Sequence, residues 1–398
     1  MRIVYCGSFR LPNYDAAAPR VLNNAKLFRN AGHSVKFISW GGKYRNSDLC
    51  GDGKYRLDGF EYVITKEMDA IGGFFTKLRG KVQRGRKSFQ MLQEMPEKPD
   101  LIIMYNADYW WTRKMLDFCQ ENHIKLANDI TEWYDNNELH LVDIIPNAIN
   151  MKWLQRKVKN KIVISSYLNN YYKESNNLQL PPLCDPTENK WFADVDDERI
   201  KPFDGVTLIY AGNPAKKDCV HTVINAVNLL AQEGKAIRFL ILGITREDYL
   251  QRYHLLLQSE NLHSNIVFLG CVLQDLIPAY YKKADFMVLL REPSRKNNMG
   301  FPTKFAESMT AGVPVVCNAT SDLKQFVIDS ETGFIVKGFL QSDILDCLRN
   351  QVLGCSKEEL ALMKKETQKR NVCFACNSEA YKNKVKQFLD NLEWTDLI

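Results

Sequence analysis

Short apolar runs separated by amphipathic stretches recur along the first half of the chain. The runs RIVYC, SVKFISW, EYVIT, DLIIMY, KLANDI and KIVISS occupy residues 2–6, 34–40, 61–65, 100–105, 125–130 and 161–166. Between the first two lies the helical pattern VLNNAKLFRNAG, which Gly32 ends. A strand, a helix and a strand joined in this way form a right-handed βαβ unit, so the pattern predicts a doubly wound parallel sheet.

A second set of apolar runs follows, at 206–212, 237–243, 265–270, 285–290 and 313–318. Residues 178–203, between the two sets, are rich in proline and acids and have no periodicity, which is typical of a linker. The pattern therefore predicts an α/β chain with domains at 1–185 and 204–375, a linker at 186–203 and a C-terminal amphipathic helix at 376–398. A length of 398 residues suits two domains of ordinary size.

The stretch 291–336 contains the clearest candidate for a binding site. We predict a loop, a helix that begins at Pro302 or Thr303 and ends at Gly312, a buried strand and a second helix. A helix N-terminus binds phosphate, and Glu307, one turn after Thr303 on the same face, can accept hydroxyls of a ribose. A solvated helix residue is the alternative interpretation of Glu307.

Two further segments follow predicted strands. The turn that contains Gly212, Asn213, Lys216 and Lys217 can present backbone donors and ammonium groups to phosphates, although a lysine pair also opens ordinary surface helices. In NDITEWYDN, Asp129 and Glu132 lie at the carboxyl end of a strand, where open α/β sheets bind ligands. Trp133 and Tyr134 offer faces for a sugar ring, or else they pack between domains.

The second half of the chain resembles the GT-B glycosyltransferases of the retaining family 4. The matching residues are Glu307, Gly312, Pro314, Val315 and Val316, followed by ETGFIV at 331–336. The family signature is E-x7-E, and Met299 stands where the first glutamate is expected. The motif FPTKxxES is similar to a subgroup that lacks this glutamate. The resemblance implies the GT-B fold, with two Rossmann-like domains facing each other across a cleft and a C-terminal helix that crosses back to the first domain.

The resemblance also implies roles for individual residues. Lys217 stands in the place of the family's lysine and Asn213 in the place of its arginine. The implied donor-binding residues are Gly212, Asn213, Lys216, Lys217, Gly300, Phe301, Pro302, Thr303, Lys304 and Glu307. The implied acceptor-binding residues are Gly7, Arg20, Trp133 and Tyr134, and the implied catalytic residues are Lys217, Glu307, Asp129 and Glu132.

The implied activity is transfer of a sugar from a UDP- or GDP-sugar to a glycan or lipid-linked acceptor, with retention, in bacterial surface-polysaccharide biosynthesis. The leaving phosphate is expected to take the acceptor proton, so no separate general base is required. Two alternatives stay open: a GT-B epimerase or hydrolase of nucleotide sugars, and a non-catalytic protein that binds them.

Composition narrows the class of protein and its location. Hydrophobic residues make up 45% and charged residues 25% of the chain, as in globular proteins, and no apolar run is long enough to span a bilayer. The N-terminus MRIVYCGSFRLPNY lacks the features of a secretory signal, so we expect a cytoplasmic protein. The eleven cysteines are scattered, which favours a reducing compartment.

Metal and cofactor sites are not expected. Cys373 and Cys376 form a single C-x-x-C without a second pair, and the six histidines have no metal-binding spacing. We therefore predict no metal ligands and no cofactor, with the nucleotide sugar as a substrate.

The segment Ile71–Met91 combines six lysines and arginines with several aromatic and aliphatic residues and has no acid between 71 and 91. A helix through it would have a basic face and a patchy apolar face, which is typical of an interfacial anchor. A solvated basic loop is the alternative. The sequence therefore predicts peripheral attachment to an anionic membrane surface, and it does not favour nucleic acid as a partner.

Overall fold

The structure is a computed structural model that describes residues 1–67, 80, 83–134, 139–214, 217–259 and 261–395. The chain forms two units: unit 1 comprises Met1–Leu183 and Cys376–Ile398, and unit 2 comprises Cys184–Ala375. Both units are of the predicted α/β class. Most of the predicted membrane anchor Ile71–Met91 lies outside the described residues.

In the described part of unit 1, eight strands form one sheet in the order β3-β4-β2-β1-β5-β6-β7-β8. Among these eight strands, β3 and β4 pair antiparallel and the other pairs are parallel. The strands are β1 (Arg2–Leu11), β2 (Ser34–Gly42), β3 (Arg56–Leu57), β4 (Phe60–Ile64), β5 (Leu101–Tyr105), β6 (Lys125–Ile130), β7 (Asn160–Val163) and β8 (Asn176–Gln179). The six strands predicted for this half are confirmed. β3 and β8 were not predicted, because they are short and lack an apolar run.

Helices cover both faces of this sheet, as the doubly wound pattern predicts. They are α1 (Ala17–Asn30), α2 (Arg86–Glu94), α3 (Tyr109–Glu121), α4 (Leu141–Ile149), α5 (Gln155–Lys157), α6 (Ser166–Tyr171) and the C-terminal α15 (Glu379–Asp390); a π turn (Asn150–Leu154) joins α4 to α5, and a 3-10 turn lies at Asn46–Asp48. α1 begins four residues before the predicted start, because the Asp15 carboxylate accepts the N–H groups of Ala17 and Ala18. Pro19 fits in the first turn, where no backbone donor is needed.

Residues 376–398 belong to unit 1. Tyr381, Val385 and Phe388 of α15 are buried in the same apolar cluster as α1 and one face of the sheet. The side-chain amide of Asn176, in β8, donates to the carbonyl of Phe388 over 2.9 Å. This helix therefore completes the core of the unit that the N-terminus begins.

In the described part of unit 2, six parallel strands are arranged in the order β11-β10-β9-β12-β13-β14. They are β9 (Val206–Ala211), β10 (Ile237–Leu242), β11 (Ile266–Gly270), β12 (Phe286–Leu289), β13 (Val315–Asn318) and β14 (Gly333–Val336). This is the 3-2-1-4-5-6 order of dinucleotide-binding sheets, whose ligands bind where the order reverses, here between β9 and β12.

Helices flank this second sheet. They are α7 (Val220–Gln232), α8 (Arg246–Tyr253), α9 (Ile277–Lys282), α10 (Arg295–Met299), α11 (Thr303–Thr310), α12 (Leu323–Phe326), α13 (Gln341–Cys347) and α14 (Lys357–Lys369), with 3-10 turns at Asn189–Trp191, His254–Leu256, Gln274–Leu276 and Arg370–Phe374 and a π turn at Leu348–Val352. The predicted helix at Thr303 is confirmed, with Gly312 just after its end. α10 was expected to be a loop; it forms because the Ser294 hydroxyl caps it at the N–H of Asn297.

The segment predicted to be a linker, 186–203, belongs to unit 2. Trp191 is buried, and its indole N–H donates to the carbonyl of Asp185 over 2.6 Å. The Tyr280 hydroxyl, on α9, donates to Asp197 over 2.8 Å. Single aromatic and charged anchors hold this segment on the unit, and such anchors leave no periodic signal in the sequence. No helix in the described ranges is both long and apolar enough to cross a membrane.

Candidate active site

Four side chains meet at the carboxyl ends of β9 and β12 in unit 2. The Asp218 carboxylate accepts from Arg291 Nε over 2.7 Å, from Lys304 Nζ over 3.1 Å and from the Tyr210 hydroxyl over 2.6 Å. Tyr210 is the penultimate residue of β9, Arg291 follows β12, and Lys304 lies in the first turn of α11. We call Tyr210, Asp218, Arg291 and Lys304 the unit 2 cluster. It lies at the point where the order of the sheet reverses.

Backbone contacts fix this arrangement. The Asn318 side chain, at the end of β13, accepts from the Arg291 N–H over 3.0 Å and donates to the Arg291 carbonyl over 2.7 Å. The N–H of Cys219 donates to the carbonyl of Leu290, so the chain after the β9 turn runs beside the end of β12. The backbone of Arg291 and the backbone next to Asp218 are therefore both fixed at the end of the sheet.

Gly212 lies directly under the Lys304 side chain. Its φ is +128°, and a Cβ there would lie 2.5 Å from Lys304 Cε. A Cβ on Gly243 would lie 2.4 Å from the Gly212 carbonyl carbon. Glycine at these two adjacent strand ends therefore lets the Lys304 side chain lie against the backbone, with its ammonium group at the carboxyl end of the sheet.

The charges of the unit 2 cluster do not balance. The positive charges of Lys304 and Arg291 hold the pKa of Asp218 well below its usual range, against the opposing effect of burial. Burial raises the pKa of Tyr210 far above its ordinary value, so its hydroxyl stays neutral. Two cations share one carboxylate, which leaves one positive charge, and the Lys304 side chain is 19% exposed. The cluster is therefore suited to bind an anion.

Glu307 lies one turn along α11, at the position predicted from the sequence. It is partly buried, while Phe305 and Met309 of the same helix face the core. Burial raises the pKa of Glu307, and the charges of Lys190 and Lys304 offset part of this increase. No hydrogen bond from the described residues contributes to that shift. A carboxylate in this position has its acceptor capacity available for a ligand.

The other predicted donor-binding residues have mixed environments. Asn213 is exposed and Lys217 partly exposed in the turn after β9, and Lys216 lies outside the described residues. Gly300 and Thr303 are partly exposed, Pro302 is buried, and the carbonyl of Gly300 accepts from the Ser321 hydroxyl over 2.5 Å. The ring of Phe301 packs on Phe305, Phe326 and Phe374, so this ring contributes to the core.

In unit 1, the predictions for Asp129 and Arg20 need correction. Arg20 contacts the Asp129 carboxylate through Nε and Nη2, at 3.0 and 2.7 Å, while its Nη1 donates to the carbonyl of Leu180. Tyr5 and Asn24 also donate to Asp129. Arg20 is 3% exposed and Asp129 0%. We call Tyr5, Arg20, Asn24 and Asp129 the unit 1 cluster. It is a closed structural ion pair, so neither residue is available to substrate.

Two further predictions for unit 1 change for similar reasons. Trp133 is 5% exposed and its ring packs edge-on against Tyr171 at 5.0 Å, so the ring is not a free sugar platform. Gly7 lies within β1, where a Cβ would be 2.9 Å from the Tyr105 carbonyl oxygen. Gly7 therefore permits close pairing of β1 with β5, and it does not line the cavity described next.

A cavity of about 1010 Å³ lies at the carboxyl ends of β1, β5 and β6 in unit 1. Glu132 and Tyr134, both exposed and both predicted from the sequence, line it. The rest of its wall is rich in amides, carboxylates and aromatic rings, including Asn106, Asn128, Asn147, Asn150, Asp143, Tyr109 and Trp110. Such a lining suits a ligand with many hydroxyl groups, because the rings pack on C–H groups and the oxygens accept hydrogen bonds.

The sequence did not single out Tyr210, Asp218 and Arg291 as functional residues. Asp218 ends the turn in which Lys217 was singled out, and Arg291 begins the stretch in which Glu307 was found. Their pairing joins residues 73 positions apart, and no local pattern reveals it. Within the described ranges, no three histidine, cysteine or acidic side chains are grouped so that they could hold a metal ion.

Part of the chain matches a protein-family model and a curated relative. Residues 205–350 match the family model Glycosyl transferases group 1. The putative colanic acid biosynthesis glycosyltransferase WcaL of Escherichia coli (strain K12) is 26% identical over 136 residues, which are 34% of this chain and 33% of that protein. The aligned stretch thus spans about a third of this relative.

Solved structures resemble the chain over nearly its whole length. Sucrose-phosphate synthase from Thermosynechococcus elongatus superposes with a TM-score of 0.71 at 15% identity, over 98% of both chains. HepE of Anabaena, in complex with UDP and glucose, superposes with a TM-score of 0.69 at 14% identity, over 98% of this chain and 100% of that one. At such identity the likeness shows the fold. Residues 205–350 therefore form a domain that matches the glycosyl transferases group 1, and the chain has the GT-B fold of two Rossmann-like units.

Proposed function

We propose that this protein transfers a sugar from a UDP- or GDP-sugar to a glycan or lipid-linked acceptor, with retention, in the synthesis of a bacterial surface polysaccharide. The observation that carries the proposal is the net positive unit 2 cluster beside Gly212, in a domain of the group 1 family. The complex of HepE with UDP and glucose and the name of the relative WcaL support the donor class and the pathway.

The nucleotide would be held by α11. Glu307 accepts the two hydroxyls of the ribose, because its carboxylate is partly accessible and burial limits competition from water. The first N–H groups of α11, at Thr303 and Lys304, have no capping side chain and point toward the diphosphate. The donor thus lies across the end of the sheet, with its phosphates beside the Lys304 ammonium group.

The departing diphosphate would be stabilised by Lys304 and Arg291. Negative charge develops on the phosphate oxygens as the bond to the sugar breaks, and a positive charge already in place needs no reorganisation at that moment. Asp218 holds both cations in position and remains ionised. Lys217 adds a further positive charge in the same turn. The acceptor hydroxyl attacks the anomeric carbon and passes its proton to the departing phosphate.

Metal ions and cofactors have no part in the proposed reaction. Lys304 and Arg291 supply the charge that a divalent cation would otherwise supply at the diphosphate. We expect the initial rate of transfer to be the same in EDTA as in Mg²⁺. A rate that depends on Mg²⁺ would contradict this assignment.

The acceptor would bind in the unit 1 cavity. Glu132 accepts a sugar hydroxyl there and Tyr134 packs on a pyranose face. We further propose that the protein works at the cytoplasmic face of the membrane, attached to anionic lipid, and that it does not act on nucleic acid. In the described part of the predicted anchor, Arg84 pairs with Asp108 over 3.2 Å and lines the cavity, so this arginine supports the site and not the attachment.

One experiment separates the proposed activity from its alternatives. The protein is incubated with radiolabelled UDP- and GDP-sugars, with and without a lipid acceptor, beside a Lys304→Met variant. We expect label to move to the lipid with the wild-type protein and far more slowly with the variant. Isomerised or hydrolysed donor without transfer would indicate an epimerase or hydrolase. Binding without turnover would indicate a non-catalytic protein. Both outcomes are worth testing because Met299 stands in place of the first signature glutamate.

A further inference from the structure

Helix α4 exposes an apolar stripe to solvent. Leu141, Ile145, Ile149 and Trp153 recur every fourth residue along α4 and the π turn that continues it, and we call these four residues the apolar stripe. Their exposures are 87%, 69%, 39% and 70%. No residue of α4 itself is buried. Isolated apolar residues are common on protein surfaces, but a continuous row of them marks a surface that binds something.

The opposite side of the same helix is polar and faces the protein. Asp143, Asn147 and Asn150 line the unit 1 cavity, and the Asn150 amide donates to the carbonyl of Ala107 over 2.7 Å. A helix on the surface of a protein in water normally has the reverse orientation, with its apolar face inward. This helix is therefore built to separate a polar cavity from an apolar environment.

The charges near the stripe indicate what that environment is. Lys152, next to Trp153, and Arg156, one turn later, are both exposed. Between residues 139 and 159 the only acid is Asp143, which lines the cavity. Tyr167 is 40% exposed, and Arg156 lies 5.3 Å from the ring of Tyr171. An apolar row with tryptophan and flanking cations fits the interface of a bilayer that contains anionic lipids.

A second copy of the chain fits the stripe less well. Parallel contact between two stripes would bring the Lys152 and Arg156 side chains of both copies together. In antiparallel contact they would face the other end of the helix, where the only acid, Asp143, lines the cavity. A bilayer meets the apolar row with acyl chains and the cations with phosphates. The charge pattern therefore selects the membrane as the partner.

We propose that the apolar stripe docks this protein on an anionic bilayer and so makes a lipid-anchored glycan the acceptor of the unit 1 cavity. One side of α4 touches the membrane while the other lines the cavity, and a helix is only about 10–12 Å across. A sugar carried by a lipid in that bilayer therefore lies within reach of Glu132. The proposal rests on the proposed function for its acceptor, while the docking surface stands on the stripe alone.

The test of docking needs no enzymatic activity. Full-length protein is sedimented with vesicles of phosphatidylcholine alone and of phosphatidylcholine mixed with phosphatidylglycerol. We expect the wild-type protein to bind the mixed vesicles, and an Ile145→Asp, Trp153→Asp variant to bind them at least about tenfold more weakly. The matched control is Leu255→Asp, Leu273→Asp, because these residues are 86% and 74% exposed in unit 2. It should bind as the wild-type protein does.

Calorimetry with UDP, without vesicles, keeps this test separate from the proposed function. If the Ile145→Asp, Trp153→Asp variant, the stripe variant, binds UDP normally but does not bind vesicles, the docking proposal is supported. Failure of the wild-type protein to bind UDP would count only against the donor site. Equal vesicle binding by wild-type and stripe variant, or none by the wild-type protein, overturns the proposal. A change from dimer to monomer in the stripe variant, seen by sedimentation velocity, would assign the surface to self-association and also overturn it.

A milder substitution guards against misfolding of the stripe variant. Trp153→Phe keeps an aromatic ring at the interface, so the variant should still bind mixed vesicles. Vesicles made with brominated lipids quench tryptophan fluorescence at the depth of the acyl chains. We expect less quenching in this variant than in the wild-type protein; identical quenching would show that Trp153 does not enter the bilayer.

Discussion

The two units contain similar clusters around one buried aspartate, and the clusters differ in charge. In both, a tyrosine of the first strand donates to the carboxylate and an arginine pairs with it: Tyr5 and Arg20 with Asp129, and Tyr210 and Arg291 with Asp218. Unit 1 adds the neutral amide of Asn24, and unit 2 adds the ammonium group of Lys304. The first cluster is neutral and closed, whereas the second keeps a positive charge at its surface.

This difference separates a structural role from a binding role. A buried carboxylate whose charge is matched and whose oxygens are all occupied has nothing left to offer a ligand. A carboxylate shared by two cations works differently, because it holds their positions without neutralising both. A buried aspartate at the end of a strand is therefore not by itself evidence of catalysis; the number of cations around it decides.

The largest effect of a substitution is expected in the unit 1 cluster, on the stability of the fold. Arg20→Met leaves Asp129 buried without its cation, which should lower the free energy of unfolding of unit 1 by about 3–5 kcal/mol. Urea unfolding followed by circular dichroism measures this. The control is Arg113→Met: its pair with Asp117, at 3.4 Å, is 49% exposed on both sides and should contribute under about 1 kcal/mol. Equal stability of the two variants would contradict the structural role of Arg20.

The next largest effect is expected in the unit 2 cluster, where a substitution should change the rate of sugar transfer more than the stability of the fold. Lys304→Met removes the accessible positive charge beside Gly212, so kcat should fall about 10²–10³-fold, the loss typical of one preorganised group at a developing charge. Steady-state transfer assays measure it. Lys364→Met is the control in the same unit. Lys364 Nζ lies 3.1 Å from Asp285 Oδ1, and neither residue belongs to the unit 2 cluster. A similar loss in both variants would indicate a general effect on unit 2.

A smaller effect concerns the pH dependence of nucleotide binding. The pKa of Glu307 is raised by burial, and only its ionised form accepts two ribose hydroxyls, so affinity for UDP or GDP should weaken as pH falls through that raised value. An ordinary surface glutamate would show this loss only at lower pH. Calorimetry across this pH range should show the trend in wild-type protein and in Glu331→Gln, an exposed control.

The variant Glu307→Gln completes this test. It should bind the nucleotide about tenfold more weakly at neutral pH, because a charged acceptor forms stronger hydrogen bonds than a neutral one. Its affinity should not change with pH over the same range. A pH dependence that persists in Glu307→Gln would assign the titration to another group.

The smallest effect is expected in the unit 1 cavity. Glu132→Gln weakens one hydrogen bond to the acceptor, so kcat/KM for the acceptor should fall by about tenfold, equivalent to about 1.4 kcal/mol, while affinity for the nucleotide is unchanged. Glu121→Gln, exposed at the end of α3, is the control in the same unit. Weakened nucleotide binding in Glu132→Gln would contradict its placement on the acceptor side.

Much of the site in unit 2 could be predicted because its residues act through local structure. The helix that carries Glu307 and Lys304 is delimited by Pro302, Gly312 and Pro314, and each of these acts on its own few residues of backbone. The site in unit 1 was predicted less well. Asp129 and Glu132 stand three residues apart, and the sequence treats them alike, yet one is fully buried and the other lines the cavity.

The sequence by itself determined the order of strands and helices, the two Rossmann-like sheets and the positions of Glu307 and Lys304, because apolar periodicity and helix-ending residues act over short distances. Only the tertiary structure decided which charges meet. Arg20 reaches Asp129 across 109 residues, and Lys304 reaches Asp218 across 86. It also turned the apolar side of α4 outward, although the amphipathic pattern of its residues is that of an ordinary surface helix whose apolar side faces the core. Whether a charge is neutralised or an apolar face covered depends on side chains distant in sequence, which no local pattern encodes.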